Sequence, residues 1–176
     1  MSAHPGGEIH VLLRGQEPGF LSNLVRELRL LVAAPPQYDD PLATWEAELG
    51  TPALDHADPV VARLFPPGFQ QPDLDGEYHR LTEKGLRAAK DDDAQAVLAD
   101  LADAGGRAWI AISADRTAAW LRTLTALRLA LAARLGVETA AQADALEEVS
   151  PRDPRHDLAQ VYFWLGYLLE TILADL

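Results

Sequence analysis

Histidines and carboxylates are the residues of this chain that could perform acid–base or metal chemistry, and their spacing predicts neither. The five histidines are His4, His10, His56, His79 and His156. None has a second histidine at the spacing of a metal-ligand pair. His79 and Glu83 are four residues apart, but a helix start predicted at Thr82 would break their common face. No pair of carboxylates is embedded in apolar sequence, as a tuned general acid and base would require.

The sequence lacks the motifs that identify common catalytic sites. It has no nucleophile elbow, no phosphate-binding glycine loop and no dinucleotide fingerprint. It also has no cysteine, which excludes disulfides, thiolate catalysis and cysteine–zinc sites. We therefore expect a protein that is not an enzyme and that holds no metal and no cofactor.

The balance of charges argues against nucleic-acid binding. The 176 residues include 27 acidic and 15 basic side chains, for a formal net charge of −12 at pH 7. Because phosphate binding needs a positive surface, direct DNA binding is not expected. Four arginines recur every six residues: Arg116, Arg122, Arg128 and Arg134. Successive members are rotated by about 240° on a helix, so they form no stripe, and we expect their stems to pack on apolar neighbours while their charges meet water or acids.

The last predicted helix, over about residues 154–175, carries the candidate binding residues. Its aliphatic side consists of Leu158, Val161, Tyr162, Leu165, Leu168, Leu169, Ile172 and Leu176. Phe163 and Tyr167 lie on the opposite side, with Trp164 at its flank. Two interpretations stay open. Either the helix lies between two layers of its own domain, or these three aromatic residues contact a second subunit or a partner, as exposed aromatic pairs do at interfaces.

A long apolar helix over residues 113–135 is predicted to position the other elements. Its buried stripe consists of Trp120, Leu124, Leu127, Leu131 and Leu135. Alanines fill much of the remaining surface, and a helix that is apolar nearly all round is normally wrapped by its neighbours. We therefore expect it at the centre of the fold.

The remaining periodicity predicts a single, mostly α-helical bundle over residues 8–176, preceded by a disordered N-terminus at residues 1–7. Two short strands, at about 8–13 and 108–112, are expected to form a small antiparallel β element packed on helices. Further helices are predicted at about 18–33, 41–49, 59–64, 83–103 and 139–148, with a separate helical stretch from Pro72 to Arg80.

Four segments of the chain, in order, resemble one known family. They read DPVVARLFPPGF, YHRLTEKGLRAAK, AAWLRTLTALRLALAARLGV and DPRHDLAQVYFWLGYLLETIL. They look like an uncharacterised actinobacterial domain family whose best-studied type is called the actinobacterial oxidative-stress regulator. The resemblance implies a cytoplasmic transcriptional regulator that senses oxidation through a cysteine pair and works with a stress sigma factor. This chain has no cysteine, and its only methionine is Met1, so the redox sensor does not carry over.

The expected function is a non-enzymatic regulatory protein, a homodimer that contacts a sigma factor or RNA polymerase. One alternative is an accessory protein of regulated Clp-type proteolysis, because members of the resembled family are often encoded beside the adaptor of that protease. Another is a small-molecule-binding helical domain. No apolar run reaches the roughly 20 residues that span a bilayer, and no signal peptide is recognised, so we expect a cytoplasmic protein.

Overall fold

The computed structural model describes residues 7–33, 39–50, 54–66 and 72–176, without the side chains of Trp45, Glu48, Leu49 and residues 72–81. Its elements in chain order are β1 (Ile9–Leu12), α1 (Glu17–Val32), α2 (Pro41–Gly50), α3 (Pro59–Leu64), α4 (Pro72–Asp103), β2 (Trp109–Ile112), α5 (Ala114–Leu135), α6 (Ala140–Ala145) and α7 (His156–Ala174), with a 3-10 turn at Leu146–Glu148 between the last two. The predicted class, a helical bundle with a two-stranded antiparallel β element, is confirmed. The predicted disorder concerns residues that, apart from Gly7, lie outside the described ranges.

Helix α5 lies at the centre of the bundle, as predicted, and contacts α1, α3, α4 and α7. Trp120 and Leu124 are completely buried, and the indole N–H of Trp120 donates a hydrogen bond of 2.8 Å to Asp100 Oδ2 on α4. This bond removes the cost of burying the one polar atom of the largest core side chain. The helix is not wrapped on every side, however, because Arg122 and Leu129 remain exposed on its outer face.

The two strands form a ribbon that depends on the helices beneath it. They pair antiparallel, with Ile9 opposite Ile112 and Leu12 opposite Trp109. Alternate side chains such as Val11 and Ile110 point into the bundle and are buried, whereas Trp109 on the other face is 57 % exposed. An isolated two-stranded ribbon is only marginally stable in water, so burial of this inner face holds it in place.

The predicted break at Thr82 is wrong, because α4 continues through it from Pro72 to Asp103. A threonine cap stabilises a helix start by only about 1 kcal/mol. That preference is small beside the backbone bonds and the contacts with α1 and α5 that a continuous α4 keeps. The last helix begins later than the predicted start at about residue 154. Asp153 accepts the backbone N–H of Arg155 (2.8 Å) in a turn, and α7 begins at His156.

Candidate functional site

The three predicted interface residues lie on one side of α7 but differ in exposure. Tyr167 is 63 % exposed, whereas Phe163 and Trp164 are half-buried. Phe163 meets Tyr162 edge-on, with ring centroids 5.5 Å apart, and Trp164 meets Phe20 of α1 at 5.8 Å. Two of the three side chains therefore contact their own domain, while the third stands in solvent. Their role as an interface stays a prediction.

Phe20 extends this set of aromatic residues onto a second helix. It is 42 % exposed although it is a large apolar residue, and it contacts Trp164. Trp164 and Phe163 are three and four residues before Tyr167, so they are its neighbours on the helix surface. We call Phe20, Phe163, Trp164 and Tyr167 the aromatic surface. Phe20 was not among the predicted interface residues, although its position beside the buried stripe that begins at Leu21 is a signal that could have marked it.

The aliphatic side of α7 is buried along most of its length but not at its ends. Leu165, Leu168 and Ile172 are in the core. Leu158 and Leu176, at the two ends of this side, are exposed. Leu158 lies in the first turn of α7 and Leu176 follows its last residue.

Arg128 of α5 lies against α7 beside the aromatic surface. Its guanidinium carbon is 4.5 Å from the centroid of the Tyr162 ring, a cation–π contact. A Cβ added at Gly166 would lie 3.5 Å from Cζ and Nε of Arg128, so the side chain runs closely along α7. Nε is buried without a hydrogen-bond partner, and no described residue forms an ion pair with this arginine. A buried N–H without an acceptor costs about 1–3 kcal/mol, and the described residues offer this one none.

Two other arginines of α5, Arg122 and Arg134, bind acids. Arg122 binds Asp93 of α4 through two hydrogen bonds of 2.6 Å. Arg134 donates at 3.1 Å to Asp58, the N-cap of α3, whose Oδ1 accepts the backbone N–H of Val60. That backbone bond is the main reason why the pKa of Asp58 lies below its usual value, with a further contribution from Arg134. Arg128 differs from these two arginines, because no described residue supplies it with an acid.

A second candidate surface is an open groove of about 600 Å³ between α4 and α5. Leu86, Ala126 and Leu129 contribute to its apolar wall. Thr123 also lines it, and its buried hydroxyl has no hydrogen-bond partner within the described ranges. At the rim, the ammonium of Lys90 lies 5.7 Å from the centroid of the Phe65 ring, and burial lowers its pKa.

The described residues contain no group of three or more His, Asp or Glu side chains that could hold a metal ion. Because α4 is unbroken, positions 79 and 83 do share a helical face, but the side chain of His79 lies outside the described residues. Glu83 is 3.4 Å from Nε2 of His56 and 3.2 Å from Nη1 of Arg87. Among the described helices, none combines the length and hydrophobicity needed to cross a membrane.

These features define an all-α protein with a small β ribbon, an aromatic surface on α1 and α7 and a groove between α4 and α5. The family described as a domain of unknown function, DUF2017, matches residues 1–176, and the chain belongs to this family. No curated protein and no solved structure shows a significant match to the chain.

Proposed function

We propose that this protein is a non-enzymatic regulatory protein that acts by binding other proteins. The observation that carries the proposal is the aromatic surface, where Phe20 and Tyr167 present exposed rings and Arg128, whose Nε has no acceptor among the described residues, lies alongside. Tyrosine, tryptophan and arginine dominate the binding energy of protein interfaces, and aromatic residues are enriched in their centres. The combination supports a partner that buries the rings and supplies an acceptor.

The partner we propose is the transcription machinery, through a sigma factor or RNA polymerase in the cytoplasm. This part rests on the resemblance to the oxidative-stress regulator. The net charge of −12 supports it, because an acidic protein is attracted to basic protein surfaces and repelled by DNA phosphates. Redox sensing is not part of the proposal, because the chain has no cysteine.

A pull-down with purified components tests this function. The tagged protein is used to capture purified RNA polymerase, with and without its sigma factors, at physiological salt. We expect capture by the wild type, a loss of at least about tenfold for Phe20→Ala/Tyr167→Ala, and no change for Leu30→Ala, which removes another exposed residue of α1. Failure to capture either protein, together with an unchanged transcriptome on deletion of the gene, would contradict the proposal. Capture of Clp protease subunits instead would favour the accessory role in proteolysis.

The groove between α4 and α5 favours a second candidate, the binding of a small molecule. Apolar walls with a few polar groups are typical of ligand sites, and the buried hydroxyl of Thr123 has no partner among the described residues. Native mass spectrometry of the freshly purified protein tests this candidate. A bound small molecule that disappears in Ala126→Trp, which fills the groove, would support it, and a ligand-free spectrum would count against it.

A further inference from the structure

We propose that the free protein is a two-fold homodimer joined through α7, in which Arg128 of each subunit binds the Glu170 carboxylate of the other. The inference rests on the proposed function only in that it uses the same aromatic surface. It names the occupant of that surface when no regulatory partner is present.

The first observation is a cation that the described residues leave unsatisfied. Two other arginines with limited exposure have acids: Arg29 binds Asp91 at 2.6 Å, and Arg87 binds Glu83 at 3.2 Å. Arg128 is half-buried, yet it makes no hydrogen bond or ion pair to any described residue. Its Nε is fully buried, whereas its terminal nitrogens are not among the buried atoms and can reach an acceptor from outside.

The second observation is an anion on the same face of α7 that is also unpaired. Glu170 is exposed and makes no hydrogen bond or ion pair within the described part of the chain. It lies one helical turn, or about 6 Å, beyond Gly166, the residue along which Arg128 runs. Tyr167 lies between these two positions in sequence and is the most exposed ring of the aromatic surface.

A second copy of this chain is the occupant that satisfies both charges. An acidic partner would pair with Arg128 and leave Glu170 facing a like charge, and a basic partner would do the reverse. A two-fold interface is self-complementary, since each contact from the first subunit to the second is repeated in the opposite direction. The two charges cancel locally, so the aromatic surface can be buried between copies although the whole chain is strongly acidic.

The spacing along α7 fits an antiparallel crossing of two copies. If the two-fold axis passes between Gly166 and Tyr167, position 170 of one subunit lies opposite position 163 of the other. Arg128 covers the stretch from Tyr162 to Gly166, so the carboxylate of Glu170 arrives beside its guanidinium. The same axis brings the two Tyr167 rings together. A regulatory partner that uses Tyr167 therefore competes with the second copy.

Exchange of the two charges tests the pairing. Sedimentation equilibrium of the purified protein alone measures the dissociation constant for the wild type, Arg128→Glu, Glu170→Arg and the variant carrying both changes. Arg26→Glu is the matched control, because this arginine of α1 is exposed and Asn23 is its one hydrogen-bond partner among the residues described. We expect a wild-type dimer that each single change weakens at least about tenfold, a double variant that recovers most of the loss, and a control that matches the wild type.

Two outcomes would overturn the dimer: a wild type that is monomeric at high micromolar concentration, or a dimer that neither charge reversal weakens. Circular dichroism checks folding, and Glu170→Arg changes an exposed residue, so the test holds even if Arg128→Glu does not fold. Because the chain has no cysteine, Tyr167→Cys supplies a second readout. It should form a disulfide-linked dimer rapidly on oxidation, and the equally accessible Leu30→Cys should not. A monomer that still captures RNA polymerase would overturn the dimer alone, and a dimer that captures nothing would overturn the proposed function alone.

Discussion

The two flanks of α5, one facing α4 and the other facing α7, place an arginine in opposite surroundings. On the flank toward α4, Arg122 forms a two-pronged ion pair with Asp93. On the flank toward α7, Arg128 is more buried but stacks on Tyr162, and none of the acids that the structure describes pairs with it. A charge that its own fold neutralises contributes to the architecture, whereas a half-buried charge that stays unpaired is costly unless another molecule completes it. The flank with the paired Arg122 therefore stabilises the domain, whereas the flank with Arg128 is available for binding.

The largest expected effect comes from the core residue that both flanks share. Trp120→Ala leaves a cavity and removes the partner of Asp100, so we expect the free energy of unfolding to fall by about 3–5 kcal/mol. Trp109→Ala removes an exposed indole and should change it by no more than about 0.5 kcal/mol. Urea denaturation followed by circular dichroism measures both. A loss below about 1 kcal/mol for Trp120→Ala would mean that packing around Trp120 does not fix α5 in the bundle. The two flanks of α5 could then not be compared as parts of one fixed helix.

Methionine at the two arginine positions tests the comparison itself. Arg128→Met keeps an unbranched stem and removes the unsatisfied Nε, so the monomer should keep its stability or gain up to about 1 kcal/mol. Arg122→Met breaks the pair with Asp93 and should lose about 0.5–1 kcal/mol. The measurement is urea denaturation at protein concentrations low enough to keep the chain monomeric. Equal losses at both positions would remove the distinction between paired and unpaired flanks.

A glycine-to-alanine change at Gly166 tests how closely Arg128 packs against α7. The nearest atoms to an added Cβ at Gly166 belong to Arg128 at 3.5 Å, which is ordinary van der Waals contact. Alanine should therefore fit and stabilise the helix by about 0.5–1 kcal/mol. The same substitution at Gly136, which ends α5 with φ of 70°, should destabilise by about 1 kcal/mol. A loss of thermal stability in Gly166→Ala would show that Arg128 lies closer to α7 than this geometry has it.

The sequence predicted the elements better than the surfaces between them. Apolar periodicity placed the central helix, with Trp120 and Leu124 buried, because a buried helix face repeats in sequence. Local signals failed at Thr82, where a cap preference gave way to tertiary contacts. Arg128 was one of four equivalent arginines in sequence, and only the rotation of α5 against α7 sets it over Tyr162. The contact of Phe20 with Trp164 likewise joins residues far apart in the chain, so no local pattern contains it.

The smallest expected effect is on the free energy of unfolding at acid pH. It tests whether the ion pair between Arg29 and Asp91 is formed in solution. The two hydrogen bonds from the Arg29 guanidinium hold the pKa of Asp91 below its ordinary value of 3.8. A carboxyl whose pKa is lower in the folded state stabilises the fold above its unfolded value, and this contribution is lost as the pH falls through its folded value. Asp91→Asn and Arg29→Ala should therefore both flatten the decline of unfolding free energy below about pH 4. The effect is small because Arg29 is partly exposed to solvent.

Urea denaturation at a series of pH values gives the slope of unfolding free energy against pH for the wild type, each single variant and the double variant. If one ion pair is responsible, the double variant should be no flatter than Asp91→Asn, because the interaction can be removed only once. Additive changes would mean that Arg29 and Asp91 act on other groups. If all three variants lose stability with falling pH as steeply as the wild type, the pair between Arg29 and Asp91 is not formed in solution. Arg29 would then resemble the unpaired Arg128 more closely than the geometry implies.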